Sequence, residues 1–459
     1  MATQLNSSPA TQATEFNFFQ HWYPIAPLED LDPQRPTPIT LLGQHFVVWQ
    51  PRGADTYRVF QDQCPHRLAP LSEGRIDEQT GQLMCSYHGW QFDPQGHCTH
   101  IPQADESVTA KQSQMYCVVA LPSQQHSGLL WVWPDPQTPD LAAAQSLPIS
   151  PLIDADKGFV WSSVMRDLAY DWQTLVENVA DPSHVPFAHH GEQGDRNKAG
   201  PMPMEVQHST AELIAVQTKG NFSTQITFQP PCRLEYQFEL GEGRTAGMVT
   251  YCIPISPGRS RIVALFPRNF AKSFQQIIPR WFEHITRRHP VLDGDMVLLH
   301  AQERQFLQQT QTQSWQTVYK LPTSADRLVI EYRQWFEKHC QGQLPWGKSH
   351  ENSPASTTNW DGYSPLGDQR SQLLDRYHQH TLICSSCRRT LSRIQLLQKI
   401  LLGMFAVTVA GVSVLPDALR TRWGIPMVIV ALLGLGIQTW LKYWLEPKFY
   451  FVDYVHAER

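Results

Sequence analysis

The stretch CPHRLAPLSEGRIDEQTGQLMCSYHGW, residues 64–90, carries Cys64-x-His66 and Cys85-x-x-His88 with 18 residues between the pairs. Two thiolates and two imidazoles suit either a tetrahedral zinc ion or an iron–sulfur cluster. Their distribution separates the two. Common zinc modules put both thiolates in one pair and both imidazoles in the other, or use cysteine pairs throughout, whereas here each pair brings one of each. That arrangement serves a [2Fe–2S] cluster with two cysteines on one iron and two histidines on the other, because each segment then supplies one ligand to each iron. The spacing predicts such a cluster at Cys64, His66, Cys85 and His88.

A second constellation lies in ENVADPSHVPFAHH, where Asn178, Asp181, His184 and His189 run in the order N-x2-D-x2-H-x4-H. Two histidines and one carboxylate form a facial triad that leaves positions open on Fe(II) for O2 and substrate. On a straight helix a five-residue spacing would turn the two imidazoles about 140° apart. Pro186, between them, is placed to break the helix. The segment VLDGDMVLLHAQE offers Asp293, Asp295 and Glu303 as the third ligand. A third group, Cys384-x-x-Cys387 in LLDRYHQHTLICSSCRR, admits three readings. It is a redox pair whose thiolates would be favoured by exposure beside Arg388 and Arg389, a zinc site completed by His378 and His380, or two inert thiols. Cys98, Cys117, Cys232, Cys252 and Cys340 read as small buried hydrophobes.

The elements that must position these groups follow from the rest of the chain. At 459 residues with 15 Trp and 35 Pro, it is too long for one core and too apolar for disorder. A formal charge of −5 without a basic stripe excludes nucleic acid as a partner. Nine cysteines, four of them in close motifs, suit a reducing compartment better than a disulfide framework. Short strands such as HFVVWQ, YRVFQ and GLLWVWP between Pro/Gly turns predict an all-β region over 17–148. Over 149–340, strands such as ELIAVQT, RLEYQFEL and RIVALFP alternate with helical stretches such as YDWQTLVENVA, which predicts a sheet with helices on one side. A Pro/Ser/Gly-rich linker is expected over 341–370, the Cys-x-x-Cys segment over 371–398, two membrane helices over 399–445 and a tail over 446–459. Ile400–Leu415 holds no charge across 16 residues and Trp423–Leu441 none across 19. The second is long enough to span a bilayer, and the first must borrow from TLSRIQLLQK. Arg388, Arg389, Arg393 and Lys399 before the hairpin, and Lys442 and Lys448 after it, put the globular body on the cytoplasmic or stromal side. Residues 1–16 read as a flexible start in which neither a signal peptide nor a transit peptide is visible.

The first constellation, with HGWQFD and GHCTHIPQA downstream, resembles the Rieske domain of the ring-hydroxylating oxygenases, and the second resembles their mononuclear iron motif. High-potential Rieske domains carry an extra Cys in each cluster loop and a Ser after the second. Here Ala69, Tyr87 and Trp90 stand in those places, which implies a low-potential electron donor. The resemblance gives Asp295 the third iron position, with Asp293 as runner-up, and makes Asp181 the carboxylate that links the cluster of one subunit to the iron of the next in a homotrimer. Asn178 would hold the iron-site network. With the Cys-x-x-Cys and terminal hairpin, the whole resembles the pheophorbide a oxygenase and chlorophyllide a oxygenase-like branch of the Rieske non-haem iron oxygenases. That implies an α+β fold class: an N-terminal all-β Rieske domain, a helix-grip-like catalytic domain on an antiparallel sheet, and a C-terminal transmembrane helical hairpin. It further implies a [2Fe–2S] cluster, a mononuclear Fe(II), electrons from reduced ferredoxin, O2, a chlorophyll-derived tetrapyrrole substrate, and redox regulation of Cys384 and Cys387 by thioredoxin. The missing transit peptide departs from the plant members of that branch and suggests a cyanobacterial homologue in a thylakoid or plasma membrane, or a mature chain. A translocon-like redox sensor and an oxygenase of another aromatic substrate are the competing readings.

Overall fold

The computed structural model describes residues 16–105, 115–219, 224–273, 277–344, 346 and 369–459. The expected flexible start and most of the expected linker lie outside the described residues.

The first eleven strands build three small antiparallel sheets. One has the order β2 (Thr37–Leu41), β3 (Gln44–Trp49), β4 (Arg58–Gln61) and β9 (Ala120–Leu121). A second joins β5 (Arg75–Ile76), β6 (Leu83–Met84), β7 (Gln91–Phe92) and β8 (Cys98–His100). The third sets β11 (Leu129–Val132) between β1 (Tyr23–Pro27) and β10 (Ser123–His126). Val47, Trp49, Phe60, Leu71, Leu83 and Phe92 form a compact core of their own beneath Cys64 and Cys85.

A seven-stranded antiparallel sheet follows, ordered β12 (Val160–Leu168), β18 (Arg259–Arg268), β17 (Thr245–Ser256), β16 (Arg233–Glu239), β15 (Thr224–Gln229), β14 (Ile214–Thr218) and β13 (Met204–Ser209). Successive side chains of a strand point to opposite faces, so each strand serves two environments. One face meets the third small sheet, with Trp131 edge-on to Tyr251 at 5.2 Å. The other receives helix α1 (Trp172–Ala180), tied down where the Tyr236 hydroxyl donates to the Val179 carbonyl at 2.6 Å. Helix α2 (His289–Thr310) carries the candidate carboxylates, and α3 (Arg327–Cys340) packs on β13 and β14.

Helices α4 (Ser385–Val414) and α5 (Asp417–Trp440) pair antiparallel across a short turn. Both are long and apolar enough to cross a membrane, and the rest of the chain covers only 6 % and 17 % of their apolar windows. Core helices of a soluble protein would be enclosed; these present Val407, Val414, Ile425 and Leu433 outward. The first helix does borrow its missing length upstream, beginning directly at the Cys-x-x-Cys. After the hairpin the chain returns to the body. Tyr454 is fully buried and donates to the Ala188 carbonyl at 3.1 Å.

Candidate metal centres and substrate cavity

The two cluster loops are built alike despite their different spacing. In the first, the Cys64 amide donates to the Ala69 carbonyl (2.8 Å) and the Leu68 amide to the Cys64 carbonyl (2.9 Å). In the second, Cys85 pairs the same way with Trp90 (2.9 Å) and Gly89 (3.0 Å). Each closing residue, Leu68 at φ 62° and Gly89 at φ 72°, is left-handed. This turn brings Cys64 and Cys85 side by side in the apolar core and leaves the imidazoles outside, with His66 exposed, His88 half-buried and their ring centroids 4.4 Å apart. Burial pushes the Cys64 thiol up to about 12, and amide hydrogen bonds from His66 and Arg67 oppose the shift. Burial thus keeps the thiol protonated, and a metal bound there must displace that proton. Trp90 stacks on His66 at 4.6 Å, and Tyr87 lies over His88 at 4.0 Å. Exposed Leu68 and Tyr87 surround the histidine side with apolar surface.

The second centre forms where α1 ends. Asp181 closes the helix, and its carboxylate accepts from the Ser183 amide at 2.8 Å, capping the short turn Pro182–His184. The helix breaks at Pro182, not at Pro186: Pro186 starts the single helical turn Val185–Ala188 that lies between the two histidines. A tightened turn followed by one open turn lets five-residue spacing converge, with the ring planes at 78° and the two Nε2 atoms 3.2 Å apart. The Asp181 carbonyl takes the Nδ1 proton of His184, which leaves its Nε2 lone pair directed inward.

Of the candidate carboxylates only Asp295 meets these nitrogens, its Oδ1 lying 3.7 Å from His184 Nε2 and 3.3 Å from His189 Nε2. Asn178 Nδ2 holds the same oxygen at 3.3 Å. The ligand atoms of His184, His189 and Asp295 all lie within 4.8 Å of one another, a donor set that fits one divalent iron with open positions. Asp293 points the other way, into two buried guanidiniums: Arg166 at 2.7 Å and Arg376 at 2.5 Å. Glu303 is also elsewhere, accepting from the Asp171 amide at 2.7 Å and from the Thr174 hydroxyl, with burial raising its carboxyl to about 7. Gly294 stands between the two aspartates because the Tyr454 ring lies against it; a Cβ there would sit 2.9 Å from Tyr454 Cζ.

The triad opens into a cavity of about 1050 Å³. Its floor is one face of the large sheet, supplied by alternate residues: Ile262, Ala264 and Phe266 of β18, Met248 and Thr250 of β17, and Tyr236 and Phe238 of β16. Lys198, Lys219 and Arg288 are the cationic residues of its wall.

The Cys-x-x-Cys does not lie in the exposed setting expected for it. Cys384 and Cys387 are 1 % and 0 % exposed. Arg389 points to solvent from the opposite side of the helix, so the flanking charge says nothing about the thiols. Their neighbours are His380 and, unanticipated from sequence, His284. His378 is turned outward onto Asp375 at 2.6 Å.

Comparison with known proteins agrees with this architecture. Residues 21–121 match the Rieske [2Fe-2S] domain family and residues 228–314 the pheophorbide a oxygenase family. The chain is 37 % identical to the pheophorbide a oxygenase of Oryza sativa subsp. japonica, over 98 % of this chain and 88 % of that protein. It is 34 % identical to flavonoid 8-hydroxylase 2 of Ocimum basilicum, again over 98 % and 88 %. Dicamba monooxygenase bound to 3,6-dichlorosalicylic acid superposes with a TM-score of 0.60 at 20 % identity, covering 71 % of this chain and 98 % of the other. Together with the two donor sets, these likenesses place the chain in the pheophorbide a oxygenase branch of the Rieske non-haem iron oxygenases, enzymes built on a [2Fe–2S] cluster and a mononuclear iron.

Proposed function

We propose that this chain is a membrane-anchored monooxygenase that transfers one atom of O2 to a chlorophyll-derived tetrapyrrole of the pheophorbide a or chlorophyllide a kind. The cavity carries the reading. At about 1050 Å³ it reaches the upper end of small-molecule sites, and its floor is a broad apolar sheet face instead of a narrow slot. Tyr236, Phe238 and Phe266 offer flat surface to a macrocycle. Lys198 and Lys219 suit a carboxylate-bearing edge. The apolar hairpin is long enough to reach the phase in which such pigments dissolve.

The balanced reaction consumes substrate C–H, O2, two electrons and two protons and yields C–OH and water, with reduced ferredoxin as the proposed electron source. When bound, the cluster supplies electrons and the ferrous centre supplies the site of O2 chemistry. Cys64, His66, Cys85 and His88 would hold the first, and His184, His189 and Asp295 the second. Asn178 holds Asp295, and the Asp181 carbonyl holds the tautomer of His184. The apolar floor excludes water around the reacting carbon. The electron path crosses between subunits of a homotrimer: the exposed His66, framed by Leu68 and Tyr87, docks beside Asp181, where Phe187 is also exposed. The catalytic body faces the cytoplasm or stroma, on the side of Arg388, Arg389, Arg393 and Lys399.

Reconstitution with ferredoxin, 18O2 and either pheophorbide a or chlorophyllide a tests this. The reading predicts a mass gain of one labelled atom in one of the two pigments. If neither takes up label while a flavonoid does, the substrate assignment is wrong. Absence of label in all three would favour a redox-sensing role.

A further inference from the structure

The four side chains His284, His380, Cys384 and Cys387 form a further closed donor set, distinct from the residues of either iron centre and unused by the proposed reaction. All are buried, and their ligand atoms lie within 4.8 Å of one another. His284 Nδ1 is 3.1 Å from His380 Nε2, 3.7 Å from Cys384 Sγ and 3.5 Å from Cys387 Sγ, while His380 Nε2 is 3.3 Å from Cys387 Sγ. Zinc bonds of about 2.05 Å to nitrogen and 2.3 Å to sulfur in a tetrahedron give separations of about 3.3 Å for N···N and about 3.6 Å for N···S. These four edges lie close to those values, and all six fall within 4.8 Å, as one tetrahedral ion requires.

The outer ring nitrogens are already engaged. His284 Nε2 donates to the Ser163 carbonyl at 2.9 Å and His380 Nδ1 to the Met165 carbonyl at 2.6 Å, both on β12. Each donation fixes a tautomer whose free lone pair points at the thiols, the usual support for a metal-bound histidine. Two buried imidazoles with their lone pairs turned on each other at 3.1 Å would otherwise be a costly arrangement. Both histidines lie in π-helical turns, His284–Arg288 and Tyr377–Thr381, a distortion frequent at functional sites.

We propose that His284, His380, Cys384 and Cys387 bind a structural zinc ion. Binding releases two thiol protons, and the resulting Zn(His)2(Cys)2 unit carries no net charge, which suits a closed apolar site. The ion fastens three pieces: β12 through its carbonyls, the turn leading into the Asp295-bearing α2, and the foot of α4. It thereby couples the membrane hairpin to the iron site. Buried thiols on one metal are also removed from disulfide exchange.

Metal analysis and zinc K-edge absorption on the full-length, detergent-purified chain test this without any variant. About one zinc per chain is expected, with two sulfurs at about 2.3 Å and two nitrogens at about 2.05 Å. Zinc that had strayed into the His184–His189–Asp295 site would show nitrogen and oxygen only. His284→Ala should lose the zinc while His378→Ala keeps it. On the native chain, Cys384 and Cys387 should resist alkylation until a chelator is added. A zinc-free chain, a sulfur-free zinc shell, iron in the tetrahedral site, or thiols alkylated after mild reductant alone would each overturn the proposal, the last in favour of a redox pair.

Discussion

Asp293 and Asp295, two residues apart on one helix, are given opposite tasks, and exchanging each for asparagine separates them. Asp293 is fully buried between Arg166 and Arg376, which are 0 % and 3 % exposed. Asp293→Asn leaves two guanidiniums facing one another in the core without an anion. Breaking a buried pair in this way costs about 3–5 kcal/mol. At 2–4 °C per kcal/mol that lowers Tm by about 6–20 °C. Asp295 faces the cavity, where its loss costs packing little and removes a charge from the metal donors. Asp295→Asn should keep Tm within about 4 °C of wild type, given a cost of about 1 kcal/mol, and lose the mononuclear iron. Both should be assayed by thermal unfolding with that iron removed, so that ligand binding does not contribute, and by iron content as purified. If Asp293→Asn loses iron at unchanged Tm while Asp295→Asn keeps it, the assignment of the third ligand is wrong.

Further outcomes follow from the same contacts. Asp181→Asn should abolish transfer of electrons from a reduced cluster to substrate while both iron contents stay at wild-type levels; loss of either metal would refute its role. Gly294→Ala forces a Cβ to within 2.9 Å of Tyr454 Cζ. Overpacking of about 1–3 kcal/mol should release the C-terminal tail to carboxypeptidase. Gly89→Ala must hold φ near 72° with its Cβ 3.0 Å from Pro102 Cγ, at a cost of about 1–2 kcal/mol, and should shorten the lifetime of the cluster's visible spectrum. Glu303 is raised from 4.5 to about 7 by burial, so the folded state holds a proton that the unfolded state has released. That contribution is fully present below about pH 4.5 and is lost as pH rises through 7; Glu303→Gln should flatten stability over that window.

How much of this is legible in sequence depends on how far apart the cooperating residues lie. The cluster loops can be read because each gathers its two ligands within four residues, and the rigid turn that presents them is closed by local hydrogen bonds. The His184–His189 pair is likewise local. The choice between Asp293 and Asp295 is not, since DGD offers both. It is made by Arg166 and Arg376, which come from a strand and from the segment before the hairpin. The expected helix break moved from Pro186 to Pro182 because Asp181 caps the turn that Pro182 opens. His284 could not be paired with a Cys-x-x-Cys some hundred residues later, and the nearer His378 misled because spacing does not report which way a π-helical turn faces. The return of Tyr454 to the iron site leaves one trace in sequence, the glycine between the aspartates.

The central claim is that electrons held at Cys64, His66, Cys85 and His88 are spent on substrate at His184, His189 and Asp295. A single-turnover experiment addresses it directly. The cluster is reduced stoichiometrically, excess reductant is removed, and O2 is admitted with the tetrapyrrole bound, while cluster reduction is followed by EPR and product by mass. Oxidation of the cluster matched by product in wild type, with neither in His184→Ala, is the predicted result. Equal cluster oxidation in wild type and His184→Ala, without product in either, would contradict the account.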